Sequence, residues 1–304
     1  AFPFNSGENG VDPTTIDGMI TEAFDLYYFD EAGDDEGKEW INYDPNEFNL
    51  VSGKGYLYAS QDSTSITFSG MPIEGAEYEV RLAKTGNAEW SGWNLVGNPF
   101  ADIAYVADGR DFYTMNGAGT TLMLATNRSL QPMEGVFVEA ESNNEALTFT
   151  TVEPNNGKSV LSLNLSGNNG LLDRAMVRFG ESRQLHKIQL NPNGTKLYIT
   201  VDGQEYAVVR SEEVGEVPVS FKAEESGRYT ISMSSENVEF AYLHLIDNKA
   251  NTDVDLLATT SYSFDASTND KANRFKLVFA TGSTLASDGF AFYSNGGFVI
   301  TNEG

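Results

Sequence analysis

The chain has 304 residues, with 44 acidic against 19 basic side chains, a formal net charge of −25 and a pI of ≈ 4.2. That balance excludes nucleic acid and anionic lipid as partners, because both require a basic surface that displaces counterions. There is no cysteine, which excludes disulfides, thiolate metal sites and a thiol nucleophile, and no apolar run reaches the roughly 18 residues of a membrane span, so no direct membrane insertion is expected.

The length suits two domains, each able to bury a core of its own. Residues 1–156 carry 26 acidic and 6 basic side chains and residues 157–304 carry 18 and 13, so the two halves are expected to present different surfaces. Ala1 to Gly10 lack the basic start and apolar middle of a signal peptide, and the chain reads as a mature or excised piece.

Helical periodicity is nearly absent, whereas short alternating or aromatic-rich runs bounded by Gly, Asn, Asp and Ser recur. In the first half they predict strands over Phe24 to Phe29, Trp40 to Tyr43, Tyr56 to Ala59, Ser65 to Phe68, Tyr78 to Leu82, Trp93 to Val96, Phe112 to Met115, Thr121 to Ala125, Val136 to Glu139 and Ala146 to Phe149. The stretch Gly92 to Phe100, G-W-N-L-V-G-N-P-F, reads as a buried strand driven into a tight corner, since proline offers no ladder donor and forces the residue before it to extend.

A repeat of roughly 80 residues surrounds that stretch. Asp25 to Gly33 matches Asp111 to Gly119, and Gly55-Tyr56-Leu57-Tyr58 with Ile66-Thr67-Phe68 matches Gly135-Val136-Phe137-Val138 with Leu147-Thr148-Phe149. Two copies suit a pseudo-twofold sandwich in which equivalent hairpins pack face to face.

Pro154-Asn155-Asn156-Gly157 is polar, rich in turn formers and coincides with the change in charge, which makes it the expected boundary. Beyond it, strands are predicted over Val160 to Leu165, Arg174 to Phe179, Lys196 to Val201, Glu205 to Arg210, Val217 to Phe221, Tyr229 to Met233, Glu239 to Ile246, Val254 to Leu257, Ser261 to Phe264 and Arg274 to Phe279. Phe240 to Ile246 is apolar on both faces, as a strand covered on each side requires. Arg228 to Met233 alternates and has one wet face. Phe290 to Tyr293 and Phe298 to Ile300 flank Ser294-Asn295-Gly296-Gly297 and read as a hairpin, the start of a further element. The expected fold class is therefore all-β: two consecutive antiparallel, jelly-roll-like β-sandwich domains over 1–153 and 157–285, the first with the internal pseudo-repeat, followed by a hairpin over 286–304.

Catalytic machinery is hard to find. There is no G-x-S-x-G, and His186 and His244 are the only histidines. His186 follows Arg183-Gln184-Leu185 in a polar loop, and His244 lies in the most apolar strand, where a histidine reads as a hydrogen-bonded core or rim group. Neither has a zinc-spaced partner. The carboxylates Asp30, Asp34, Asp35 and Glu36 crowd a predicted hairpin loop, and hard oxygen ligands at that density suit calcium. The spacing is not that of an EF-hand, and the repeat partner Asn116-Gly117-Ala118-Gly119 lacks the acids, so the favoured reading is a solvated acidic loop. No other cofactor is expected. A glycosidase pair among 44 carboxylates has no motif to select it, and the chain is read as a non-enzyme. Sugar binding has more support: Trp40 and Trp90 lie among tyrosines and carboxylates, the means by which β-sandwiches hold a pyranose ring, with packing as the competing role for each. Trp93 belongs to the core.

Gly53 to Tyr58, Gly92 to Phe100, Met133 to Val138, Leu172 to Gly180, Val254 to Leu257 and Arg274 to Phe279 together resemble the C-terminal regions of large secreted or surface-anchored proteins of Bacteroidetes. The likeness covers nearly the whole chain. It implies a pair of β-rich modules lying between a variable front part and a type IX secretion sorting domain, with Phe290 to Gly304 resembling the approach to that domain. It also implies a secreted or cell-surface location, an extracellular protein or glycan ligand, and Asp62-Ser63-Thr64 as an O-glycosylation acceptor. It brings no catalytic residues. The function expected is a non-catalytic adhesion, presentation or spacer module, with a glycan-binding module of a polysaccharide-utilising bacterium as the alternative.

Overall fold

A computed structural model of the chain describes residues 1–33, 38–61, 64–86, 89–117, 119–155, 157–180, 182–282, 290–294 and 297–301. Strands hold 48% of the described residues and helices 3%, so its cores are built chiefly by sheets. The chain divides into two compact units, Ala1–Asn156 and Gly157–Gly304.

The first unit contains β1 (Phe24–Phe29), β2 (Trp40–Asn42), β3 (Leu57–Ser60), β4 (Glu77–Leu82), β5 (Trp93–Gly97), β6 (Ala104–Val106), β7 (Tyr113–Met115), β8 (Leu122–Leu124), β9 (Ser129–Leu130), β10 (Gly135–Glu139) and β11 (Glu145–Thr150). They form three sheets, ordered β2-β1-β3, β5-β10-β7-β8 and β4-β11-β6-β9. The alternation of side chains along β10 explains how the sheets stack. Val136 and Val138 enter a core with Leu82, Val106, Leu147 and Phe149. Phe137, on the opposite face, meets the ring of Phe29 at 5.1 Å and that of Trp40 at 6.1 Å. Leu26 turns the other way and packs with Phe2, Ile16, Met19 and Leu50. Where one ten-stranded sandwich was expected, the unit has a sandwich of two four-stranded sheets and a three-stranded sheet with a small core of its own.

The repeat is a repeat of pairing. β1 pairs with β2 and β3, and β7 pairs with β8 and β10. Tyr27 stands opposite Leu57 in the first copy, as Tyr113 stands opposite Phe137 in the second. Ser65 to Phe68, predicted as a strand, makes only an isolated bridge through Thr67 to Asp17, and Ile66 and Phe68 contribute by packing on the Leu26 core.

β5 joins the copies. One edge pairs with β10, Val96 opposite Val136. The other edge takes the Gly53-Lys54-Gly55 loop, with Gly55 N–H donating to Leu95 O at 2.9 Å and Gly97 N–H to Gly53 O at 3.0 Å. The corner after β5 is knotted by Asn98, which is fully buried. Its Nδ2 donates to the carbonyls of Asp102, Leu130 and Gln131, and its Oδ1 accepts the Phe100 N–H at 2.9 Å.

The second unit contains β12 (Ser159–Gly167), β13 (Gly170–Phe179), β14 (Leu185–His186), β15 (Lys196–Val201), β16 (Gln204–Ser211), β17 (Val214–Lys222), β18 (Gly227–Glu236), β19 (Phe240–Asp247), β20 (Thr252–Asp255), β21 (Ser261–Ala266), β22 (Phe275–Thr281), β23 (Phe290–Ser294) and β24 (Gly297–Thr301). One hydrogen-bonded path runs β20-β19-β22-β17-β15-β16-β13-β12-β18-β21, with β14 on β16. It rolls over itself, since Phe264 of β21 meets Phe221 of β17 at 5.2 Å and Phe275 of β22 at 4.9 Å. One large core therefore fills the roll, and a smaller cluster of Tyr242, Ile246, Val278 and Ala280 lies on the other face of β19 and β22. β13 and β16 run parallel, in contrast to the purely antiparallel pairing expected. β23 and β24 pair as a hairpin.

A buried ion pair closes the roll. The Arg274 guanidinium donates to both oxygens of Asp247, its Nη2 to Oδ2 at 2.7 Å, and lies 4.4 Å from the centre of the Phe264 ring. Tyr262 donates its hydroxyl to Asp247 Oδ2 at 3.1 Å. Burial alone would raise the Asp247 pKa, but the Arg274 bonds, the Ala250 N–H and the Tyr262 hydroxyl outweigh it and hold the carboxylate below its ordinary range.

Candidate functional site

A cavity of ≈ 510 Å³ opens in the first unit between the end of β1, the 51–54 loop, β4 and β5. The sequence places a lysine there for a steric reason. Gly53 has φ +78°, and a Cβ on it would stand 2.3 Å from Val80 Cγ1; one on Gly55 would stand 2.6 Å from Leu95 Cγ. Only glycines let the loop lie against β4 and β5 this closely, and the residue between them reaches into the cavity.

The Lys54 ammonium lies 3.6 Å from the centre of the Tyr28 ring. Burial pushes its pKa down, and the nearby Asp30 carboxylate pulls back without cancelling the effect. The Tyr28 hydroxyl is raised, first by burial and then by the charge of Asp30. Glu79 and Arg81, both exposed, pair at 2.5 Å on the same wall, and Tyr78 lines it too. The Asn94 amide is committed to the backbone, accepting from Ala83 N–H at 2.8 Å and donating to the carbonyls of Ala83 and Gly92. Ser52 donates its hydroxyl to Phe4 O at 2.6 Å and accepts the Ser6 N–H at 2.9 Å. Tyrosine rings, two cations and three carboxylates around an open space can stack on the C–H face of a polyhydroxylated ligand and bond its hydroxyls.

Glu31 fixes the floor. Its buried carboxylate accepts the Gly92 N–H at 2.9 Å and the Thr85 N–H at 2.8 Å, with the Thr85 hydroxyl as a third donor. Those bonds tie the end of β1 to the stretch between β4 and β5.

The structure brings Trp40 and Trp90 together, both half-buried and edge-on to Phe29, at 5.2 and 6.0 Å. Phe29 lines the cavity, and Trp40 and Trp90 pack behind it outside the lining. Of the acidic quartet, Asp30 lines the cavity and its Oδ1 accepts the Ala32 N–H at 3.1 Å. Asp34, Asp35 and Glu36 lie outside the described residues, and among the described residues no group of three or more candidate ligands could hold a metal ion. Thr64 donates its hydroxyl to Gly18 O at 2.8 Å, while Asp62 and Ser63 lie outside the described residues.

His186, expected in a loop, lies in β14 and stacks on Tyr206 at 4.4 Å. His244 stacks on Tyr242 at 4.0 Å with its Nδ1 2.7 Å from Asp253 Oδ1. Sequence reasoning missed Lys54 and Glu31. The signal for Lys54 was its place between two glycines; Glu31 was hidden in an acidic run. Comparison of the chain with protein-family models, with curated proteins and with solved structures gives no match in any of the three.

Proposed function

We propose that the chain is a non-catalytic β-sandwich protein of the cell exterior, acting in adhesion or in presenting and spacing another domain. The observation that carries this reading is what the buried charges do. Glu31 ties the end of β1 to Thr85 and Gly92, Arg110 bonds Asp108, Glu145 and the Glu139 carbonyl, and Asp247 holds Arg274. Each links separate segments of its own unit, so these charges brace a stiff, soluble scaffold with an acidic surface. The likeness to C-terminal regions of exported Bacteroidetes proteins supports the location.

The cavity beside Lys54 favours a second reading, a glycan-binding module. A panel of immobilised glycans probed with the purified chain tests it. Saturable binding abolished by Lys54→Met and retained by Trp90→Ala selects the glycan reading; no saturable binding across the panel leaves adhesion through protein partners or spacing.

A further inference from the structure

The geometry points to a covalent Lys–Asp cross-link in the second unit: we propose that Lys187 Nζ and Asp173 Cγ condense to an isopeptide bond. The inference does not depend on the function proposed above. Lys187 Nζ stands 2.5 Å from Asp173 Oδ1, and the two side chains are 2% and 4% exposed. Asp173 lies in β13, and Lys187 directly follows β14, anchored by its N–H to Glu205 O at 2.8 Å. Leu197 and Ile188, both buried, belong to the adjoining segments, so the pair is shielded from bulk water, which would otherwise favour the solvated ion pair over condensation.

The surroundings supply what condensation requires. Asp173 Oδ2 accepts the Leu197 N–H at 2.7 Å and Oδ1 accepts the Arg174 N–H at 2.8 Å. Two backbone donors thus face the carboxyl from different strands: the Leu197 N–H is placed to hold Oδ2, the oxygen that gains charge during addition, and the Arg174 N–H orients Oδ1. Lys187 Nζ also donates to Arg174 O at 3.3 Å, which fixes the nitrogen beside the carbon it attacks. Burial pushes the Lys187 ammonium toward the neutral amine, the nucleophilic form, against the pull of Asp173.

In a dry site the ammonium and carboxylate reduce their desolvation cost by passing a proton from Nζ to Oδ1. The nitrogen lone pair then adds to Cγ, and Oδ2 takes the negative charge against the Leu197 N–H. The Cγ–Oδ1 bond breaks, Oδ1 leaves as water with two of the three ammonium protons, and the third stays on the amide nitrogen. No oxidant or cofactor takes part. The bond would lock β13 to the segment after β14 in a chain that has no cysteine for a disulfide.

Intact-mass spectrometry of the purified, denatured full chain tests this without any variant. The expected mass is one water, about 18 Da, below that of the sequence. Trypsin is expected to spare Lys187 and to release Ser159 to Arg174 joined to Gln184 to Lys196, with fragment ions placing the link between Asp173 and Lys187. Lys187→Ala and Asp173→Ala are expected to restore the full mass. The proposal is overturned by the full sequence mass with ordinary cleavage at Lys187, or by a lost water that fragmentation places elsewhere.

Discussion

The Lys54 ammonium stands 3.6 Å above the centre of the Tyr28 ring, held there by a loop whose flanking glycines are pressed against β4 and β5. A cation over an aromatic face gains about 0.5–2 kcal/mol, and taking the ammonium partly out of water costs an amount of similar size. Lys54→Met is therefore expected to change the unfolding free energy by less than about 1 kcal/mol, measured by urea titration. A loss several times larger would make Lys54 a strut of the fold rather than a group free to meet a ligand.

Gly53→Ala should be far more damaging. The left-handed backbone alone costs a residue with a Cβ about 1–2 kcal/mol, and the new methyl would sit 2.3 Å from Val80 Cγ1. A loss above about 2 kcal/mol is expected. Gly86→Ala is the control, with φ +86° but nothing within 4 Å; its loss should match the backbone cost alone. Equal losses at the two positions would show that Gly53 is needed for its backbone angle and not for the close approach.

Asn98 carries the corner that follows β5. Asn98→Ala leaves the Phe100 N–H and three carbonyls without their partner, a loss of about 2–4 kcal/mol at the usual cost of buried unsatisfied groups. Asn98→Asp keeps the shape but places an acceptor-only carboxylate against those carbonyls, and chemical denaturation should rank it below Asn98→Ala. The reverse order would mean that shape matters more here than donors.

Acid should act through Asp247. Its folded pKa is depressed, so its contribution to stability is fully present above the unfolded carboxylate value of about 3.9. That contribution is lost as pH falls through the lower folded value. Asp247→Asn is expected to cost about 3–5 kcal/mol at neutral pH by leaving the buried Arg274 without its counter-charge, and to flatten the stability-versus-pH curve below about pH 4. Parallel curves for the two proteins would assign the acid sensitivity to other carboxylates.

Most strands were legible because each carries its own alternation, as Val136, Phe137 and Val138 do by facing two different cores. The repeat was legible for the same reason, since pairing register follows local pattern and Tyr27 and Tyr113 occupy equivalent places. β6 and β9, of three and two residues, are too short to show a period, and their place is set by β11 and by each other. Ile66 and Phe68 have the right alternation, yet Thr67 finds only Asp17 to pair with. The parallel pairing of β13 with β16 joins residues about 30 apart, such as Met176 and Val208, and nothing local encodes it. His244 was read as a core or rim group in a doubly covered strand, and β19 places Leu243 and Leu245 in one cluster and Tyr242 and Ile246 in another.

The site was less legible. Tryptophans draw attention as sugar platforms, but Trp40 and Trp90 pack on Phe29, while the cavity takes its character from Lys54, Tyr28 and Asp30. Tyr28 and Asp30 are near neighbours at the end of β1, but Lys54 lies far along the chain, and only the meeting of β1 with the Gly53-Lys54-Gly55 loop brings it to them.

Display at the cell exterior is the claim on which both functional readings depend, and labelling of intact source cells tests it most directly. A membrane-impermeant amine reagent, followed by capture with an antibody to this chain, is expected to mark it at its exposed lysines without lysis, while a cytoplasmic control stays unmarked. Labelling that appears only after the cells are broken would contradict the account.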